Sequence, residues 1–174
     1  MEYNVKDAIL ILERTPSILN AFLRDLSDNW TRKNEGGDTW SAYDVVGHFI
    51  HGEKTDWIER ADIILGKSEK KEFIPFDRFA QFKDSKGKSL NELLDEFEQL
   101  RAENIEKLKE MGLSDEKYAL VGIHPDFGLV TLKELLSAWV VHDLCHLNQV
   151  SRVIAKQYTE EVGPWINYMR VLNS

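Results

Sequence analysis

Apolar residues recur at helical spacing through four long stretches of the chain, and the polar residues between them mark the connections. The first stretch covers about residues 5–28. Ile9, Leu12, Ile18, Leu19, Phe22, Leu23 and Leu26 supply its apolar side, and Pro16 is placed to kink it. A polar loop with Gly36 and Gly37 follows. The second stretch starts at Trp40 and Ser41 and runs to about Leu65, where Gly66 stops it. Ser41 is a good N-cap, and Asp44 at the third helical position makes a capping box with a shorter acid. Val45, Val46, Phe49, Trp57, Ala61 and Ile64 form its buried stripe. The third stretch opens on the capping-box pair Ser89 and Glu92 and ends near Met111, before Gly112. Leu93, Leu94, Phe97, Leu100, Ile105 and Leu108 supply its buried side, and its opposite face is charged and shows no chemistry. The fourth stretch runs from Thr131, a plausible N-cap, to about Ala155.

The connections differ in kind. Residues 67–88 are charged and broken by Pro75 and Gly87, with Phe76, Phe79 and Phe82 expected to pack part of this crossover on the body. Residues 113–129 read as a loop with room for one short strand, and the tail as a short closing helix with Pro164 near its start. Four amphipathic segments imply an all-α four-helix bundle, expected as a single domain over residues 1–174. The crossover of about twenty residues exceeds a simple hairpin, so helices two and three can run parallel.

The chemistry concentrates on the fourth stretch. Following i+3 and i+4 steps gives Leu135, Trp139, His142, His146, Gln149 and Val153. Two histidines four apart stack on one helix face, with Cβ atoms roughly 6 Å apart. Metal–nitrogen bonds of about 2.0–2.1 Å let both imidazoles reach one ion. A lone inward histidine is more often a hydrogen-bonded core residue, and two ligands alone make a weak site. His48 is the best candidate for a third, at the edge of the second helix's stripe, about 60° from Val45. His51 lies further round and is expected to be exposed. His124, held out of the helical region by Pro125, could sit at a site mouth, with a surface position the simpler reading. Glu53 and Asp143 fall within apolar stripes, so both are expected to be buried and hydrogen-bonded, with tyrosines and tryptophans as donors. They are candidates to support the metal ligands.

Composition narrows the function. With 43% hydrophobic and 30% charged residues the chain suits a globular protein, and its net charge of −8, with no basic run, argues against nucleic acid or anionic membranes as partners. The single cysteine, Cys145, excludes an internal disulfide and fits a reducing compartment, where it is expected as a buried thiol. No signal-peptide pattern and no membrane-length apolar run are present, so a cytoplasmic location is expected.

Three blocks now converge. Trp40-Ser41 leading to Val46-Gly47-His48, His124-Pro125 with Phe127-Gly128 and Thr131-Leu132, and His142-Asp143-Leu144 with His146-Leu147 and Gln149 resemble the DinB/YfiT-like superfamily of metalloenzymes. Gly163-Pro164-Trp165 is also typical of its C-terminal end. The resemblance covers most of the chain. It implies a four-helix bundle in up-down-down-up order and one divalent ion, commonly nickel or zinc, on His48, His142 and His146. It further implies a metal-dependent enzyme of thiol-S-transferase type acting on a small molecule, with a low-molecular-weight thiol as partner and a homodimer as the assembly. Metal-dependent hydrolysis on the same site is one alternative. A non-enzymatic, metal-stabilised binding or dimerisation module is the other.

Overall fold

The computed structural model describes residues 3–173. Its elements are α1 (Val5–Leu12), α2 (Arg14–Leu23), α3 (Asp28–Thr31), α4 (Ala42–Thr55), α5 (Trp57–Ile64), α6 (Ala80–Asp84), α7 (Leu90–Glu110), α8 (Asp115–Tyr118), β1 (Val121–His124), β2 (Gly128–Thr131) and α9 (Leu132–Lys156), followed by two short 3₁₀ helices, Gly163–Tyr168 and Arg170–Leu172. α4, α7 and α9 each open on a complete capping box, built by Ser41 with Asp44, Ser89 with Glu92, and Thr131 with Glu134. Each box satisfies backbone N–H groups that a helix start leaves without partners.

Side-chain pairings give the direction of each helix. Along α4 and α7, Phe49 stacks on Phe97 and Glu53 pairs with Arg101, so positions rise together and the two are parallel. On α9 the order reverses, since His48 meets His142 while the later Trp57 stacks on the earlier Trp139. Glu13 pairs with Lys109 and Arg24 with Asp95, which makes α1–α2 antiparallel to α7. The result is a four-helix bundle of up-down-down-up order, with its crossover between the second and third members. Its core has two apolar clusters. One surrounds Leu12, Trp57, Ile105 and Trp139, and the other Leu19, Phe49, Leu94 and Val150.

Several local expectations are corrected. The first stretch is not one helix but α1, α2 and α3, with Glu13 between α1 and α2. Pro16 lacks an N–H, so the Leu12 carbonyl four residues earlier loses its helical donor. The second stretch breaks at Asp56, whose φ of −122° and ψ of −79° are not helical. In the crossover, the buried aromatic is Phe73; Phe79 and Phe82 lie in solvent and stack on each other, and only Phe76 reaches the site. The segment before α9 is a hairpin, with Val121 opposite Thr131 and His124 opposite Gly128. Cys145 is exposed rather than buried. It shares the outer face of α9 with Val141 and Leu144, which are apolar yet solvent-facing. His51 is largely covered, its ring 4.8 Å from Phe76. Among the described residues, no helix is long and apolar enough to cross a membrane.

Two glycines mark where the connections press on the bundle. A Cβ on Gly47 would fall on the Ser85 hydroxyl and 3.1 Å from Gln81 Cβ, so α6 packs on α4 only because position 47 has no side chain. A Cβ on Gly122 would lie 2.5 and 2.6 Å from ring atoms of Phe73 and 2.9 Å from Ile64. Gly122→Ala is therefore expected to destabilise the fold by about 1–3 kcal/mol, the cost of overpacking a filled contact. Urea unfolding of the variant beside wild type measures it, and unchanged stability would show that the hairpin is free to shift.

Candidate metal centre

His48 comes from α4, where the capping box fixes the helix start seven residues earlier. His142 and His146 come from the middle of α9. The structure brings all three together: one ligand atom from each lies within 4.8 Å of the others, and His48 Nε2 is 3.0 Å from His142 Nε2. Aromatic rings enclose them. Trp40 lies 4.7 Å from His48 and stacks on His146 at 6.1 Å, Phe76 meets the edge of His48 at 5.4 Å, and Phe49 lies beneath His142 and His146.

This enclosure opposes protonation of His48 and His146. Burial, followed by the charges His146 and His142 would carry, pushes His48 down to about 2. Burial, followed by His142, pushes His146 down to about 4, against the opposing pull of Gln149 and Asp143. Gln149 Oε1 lies 2.7 Å from His146 Nδ1, the geometry in which an Nδ1–H donates to the amide and leaves the Nε2 lone pair free. Three imidazole nitrogens converging at the base of one cavity fit a divalent cation; Nδ1 of His48 and of His142 has no hydrogen-bond partner among the described residues. His124 stands at the cavity rim, with Nδ1 accepting from the Asp126 and Phe127 N–H groups.

Glu53 and Asp143 are buried and hydrogen-bonded as expected, but their partner is neither tyrosine nor tryptophan. Arg101 of α7, 1% exposed, lies between them. Its Nε and Nη2 donate to Glu53 Oε1 at 3.0 and 2.8 Å, and its Nη1 and Nη2 to the two Asp143 oxygens at 2.5 and 3.1 Å. The fifth donor, again from Nη1, reaches the Leu12 carbonyl at 2.9 Å, the same carbonyl that Pro16 deprives of its helical partner. Asn104 completes the shell, donating to Glu53 Oε2 at 2.9 Å and to its backbone carbonyl at 2.8 Å. All five guanidinium donors are thus filled. Burial pushes the Asp143 carboxyl up, but the His142 ring and Arg101 together outweigh it and hold the group below its ordinary range. Asp143 Oδ1 is 3.8 Å from His142 Nδ1. Sequence reasoning missed Arg101 and Asn104. The signal was present, because Arg101 falls on the line Phe97, Arg101, Ile105, Leu108 of an apolar stripe.

Above the histidines opens a cavity of about 680 Å³. Trp40 and Gln149 form one wall, Phe76 and Arg78 of the crossover another, and His124 and Phe127 of the hairpin close a third. At the break between α4 and α5, Asp56 lines the cavity beside Arg60. Burial raises the Asp56 carboxyl, against Arg60 and His142.

The sequence profile of the DinB superfamily matches residues 11–150, and the chain belongs to that superfamily. Among solved structures it is similar to YfiT from Bacillus subtilis, described as a probable metal-dependent hydrolase with an unusual four-helix bundle topology. The match has a TM-score of 0.74 and 21% identity, and covers 87% of this chain and 86% of that one. It is also similar to TT2238, described as a four-helix bundle protein, with a TM-score of 0.53 and 20% identity over 85% of this chain and 98% of that one. At these identities the likeness is one of fold. Comparison with curated protein sequences finds no match.

Two outcomes follow from this geometry. Arg101→Met leaves two buried carboxylates without their cation and is expected to cost about 3–5 kcal/mol in urea unfolding; a loss below 1 kcal/mol would show that water replaces the guanidinium. The pH dependence of the metal-free protein follows from the depressed histidines. The unfolded chain takes up protons near pH 6.5, while the folded chain resists until about pH 4 at His146 and about pH 2 at His48. Their stabilising contribution is present above pH 6.5 and is lost as pH falls through that window. Thermal melts of metal-free protein between pH 7 and 4 should show Tm falling more steeply than in a His48→Phe variant.

Proposed function

We propose that the chain is a metal-dependent enzyme of thiol-S-transferase type, which activates a thiol for attack on a small electrophile. The observation that carries this reading is the roomy, open cavity above three converging imidazoles. His48, His142 and His146 would hold a divalent ion, with nickel and zinc the ions best suited to an all-imidazole set. Bound there, it would supply Lewis acidity that lowers the pKa of a thiol, about 8.5 when free, so that its proton could pass to solvent at the open side of the cavity.

The chain's own residues do the rest. Three neutral ligands leave the cation's charge undiminished at the open side. Trp40, Phe49 and Phe76 keep water from the ligand nitrogens. The cavity has the volume for two reactants side by side, a thiol and an electrophile. Its buried acid, Asp56, is ion-paired with Arg60. A thiol is acidic enough to ionise at a cation without a base, whereas water benefits more from one. The acidic surface further supports a small molecule, rather than nucleic acid, as substrate.

Metal-dependent hydrolysis is the second reading, favoured by the description of YfiT. The test uses wild type, metal-free protein and His48→Ala, His142→Ala and His146→Ala variants. Each is assayed for conjugation of a thiol to a small electrophile and for ester cleavage without thiol. Conjugation is expected to vanish on chelation and return with added nickel or zinc, and each alanine variant to lose about 100-fold or more. Equal rates with and without metal would overturn the reading, and thiol-independent ester cleavage alone would transfer it to hydrolysis.

A further inference from the structure

The run His124-Pro125-Asp126-Phe127-Gly128 stands out in the sequence, yet the metal centre makes no use of it. It forms the turn between β1 and β2, from which His124 and Phe127 border the cavity. Pro125 has no N–H, so the turn amides that need an acceptor are those of Asp126 and Phe127. Both donate to His124 Nδ1, at 3.1 and 3.3 Å. Two aromatic rings clamp the imidazole as well. Phe127 stacks on it at 4.3 Å and 15°, and Phe73 meets it at 6.2 Å and 90°.

This clamping fixes where the proton sits. Nδ1 accepts from two backbone N–H groups, so the neutral ring carries its hydrogen on Nε2. Burial, followed by the charge of Arg60, opposes a second proton and outweighs the pull of Asp126. Nε2 makes no hydrogen bond with any described residue. The outcome is an uncharged N–H donor beside the cavity that the three ligand histidines also line. Its ring cannot turn without breaking two hydrogen bonds. The cations of the same cavity are placed differently: Arg60 and Arg152 are ion-paired with Asp56 and Glu35, and Arg78 is an exposed side chain.

We propose that His124 is a catalytic residue of the thiol transfer, whose Nε2–H donates to an oxygen of the electrophile as that oxygen gains charge. The inference rests on the thiol-transfer reading and names the electrophile: a conjugated carbonyl compound rather than an alkyl halide. The thiol sulfur attacks the β-carbon of such a compound and the C–S bond forms. The alkene π pair shifts toward the carbonyl carbon, and the carbonyl π pair moves onto oxygen. The thiol proton passes to solvent, and solvent returns one to the α-carbon as the carbonyl reforms. His124 keeps its own proton throughout. A donor already aimed at the oxygen needs no reorientation as charge appears, and a neutral imidazole can polarise a carbonyl in this way. An alkyl halide places the charge on the departing halide and gains far less.

His124→Asn separates this role from one confined to the turn. An asparagine ahead of proline accepts from the backbone N–H two residues on, so the turn is kept, but its shorter side chain places no donor where Nε2 stood. In metal-free wild type, nitrogen–proton NMR correlation of the imidazoles is expected to show the His124 hydrogen on Nε2, and a hydrogen on Nδ1 overturns the proposal. Cyclohexanone, which has the carbonyl but no alkene to attack, is titrated into metal-free protein and followed by the tryptophan indole N–H signals, because Trp40 lines the cavity. Its affinity is expected to fall about fivefold in His124→Asn. In turnover of 2-mercaptoethanol by metal-loaded protein, His124→Asn is expected to lower kcat for 2-cyclohexen-1-one about 100-fold, well beyond any change in KM, and to leave 1-bromobutane within about twofold. Equal losses with the two electrophiles, or no loss with either, overturn the role. Cyclohexanone that shifts no signal, or binds wild type and variant equally, does the same. Weaker cyclohexanone binding in the variant, with no conjugation of any electrophile, keeps the donor and overturns the thiol-transfer reading instead.

Discussion

Arg101 places one cation among four helical segments. It donates to Glu53 on α4, to Asp143 on α9 and to the last carbonyl of α1, from its own position on α7. Buried ion clusters add little net stability, because desolvation offsets most of the attraction. What this one imposes is register. A helix that slid by one turn would strand a carboxylate in the core. The register that satisfies Arg101 is also the one that assembles the histidines, since Asp143 follows His142 directly and Glu53 lies five residues after His48. Pro16 contributes from outside the site, by leaving the Leu12 carbonyl free to complete the set.

The cluster also bears on the charge of the centre. Two carboxylates and one guanidinium leave it formally at −1, next to a site whose own ligands are neutral. A divalent ion on the three imidazoles would therefore be countered from behind, through Asp143.

The parts of this arrangement that could be read from the sequence are encoded within a few residues of themselves. The capping boxes at Ser41, Ser89 and Thr131 each lie within one helical turn, and so does the pair His142 and His146. The buried carboxylates were legible because acids on apolar stripes conflict with their surroundings. Arg101 posed the same conflict but was hidden by the charged residues around it on α7. Its meaning depends on two other helices, which local periodicity does not describe. The break at Asp56 was illegible because the apolar period runs through it to Trp57, Ala61 and Ile64. The hairpin strands are four residues each, too short for alternation to stand out. Cys145 was misread because its apolar neighbours Val141 and Leu144 face solvent.

The cavity is assembled from two kinds of material. Its floor consists of side chains on long, mutually registered helices, while much of its wall belongs to the crossover and the hairpin, which meet the bundle at Phe73, Phe76, Gly47 and Gly122 and through the Tyr43 hydroxyl, which donates to the Ser85 and Lys88 carbonyls. Changes in the floor would propagate through the buried ion cluster, whereas changes in the wall need preserve only those few contacts. Such a division lets evolution exchange substrates without rebuilding the centre: insertions and substitutions between residues 67 and 88 can reshape what enters, while the helices beneath continue to hold the same chemistry.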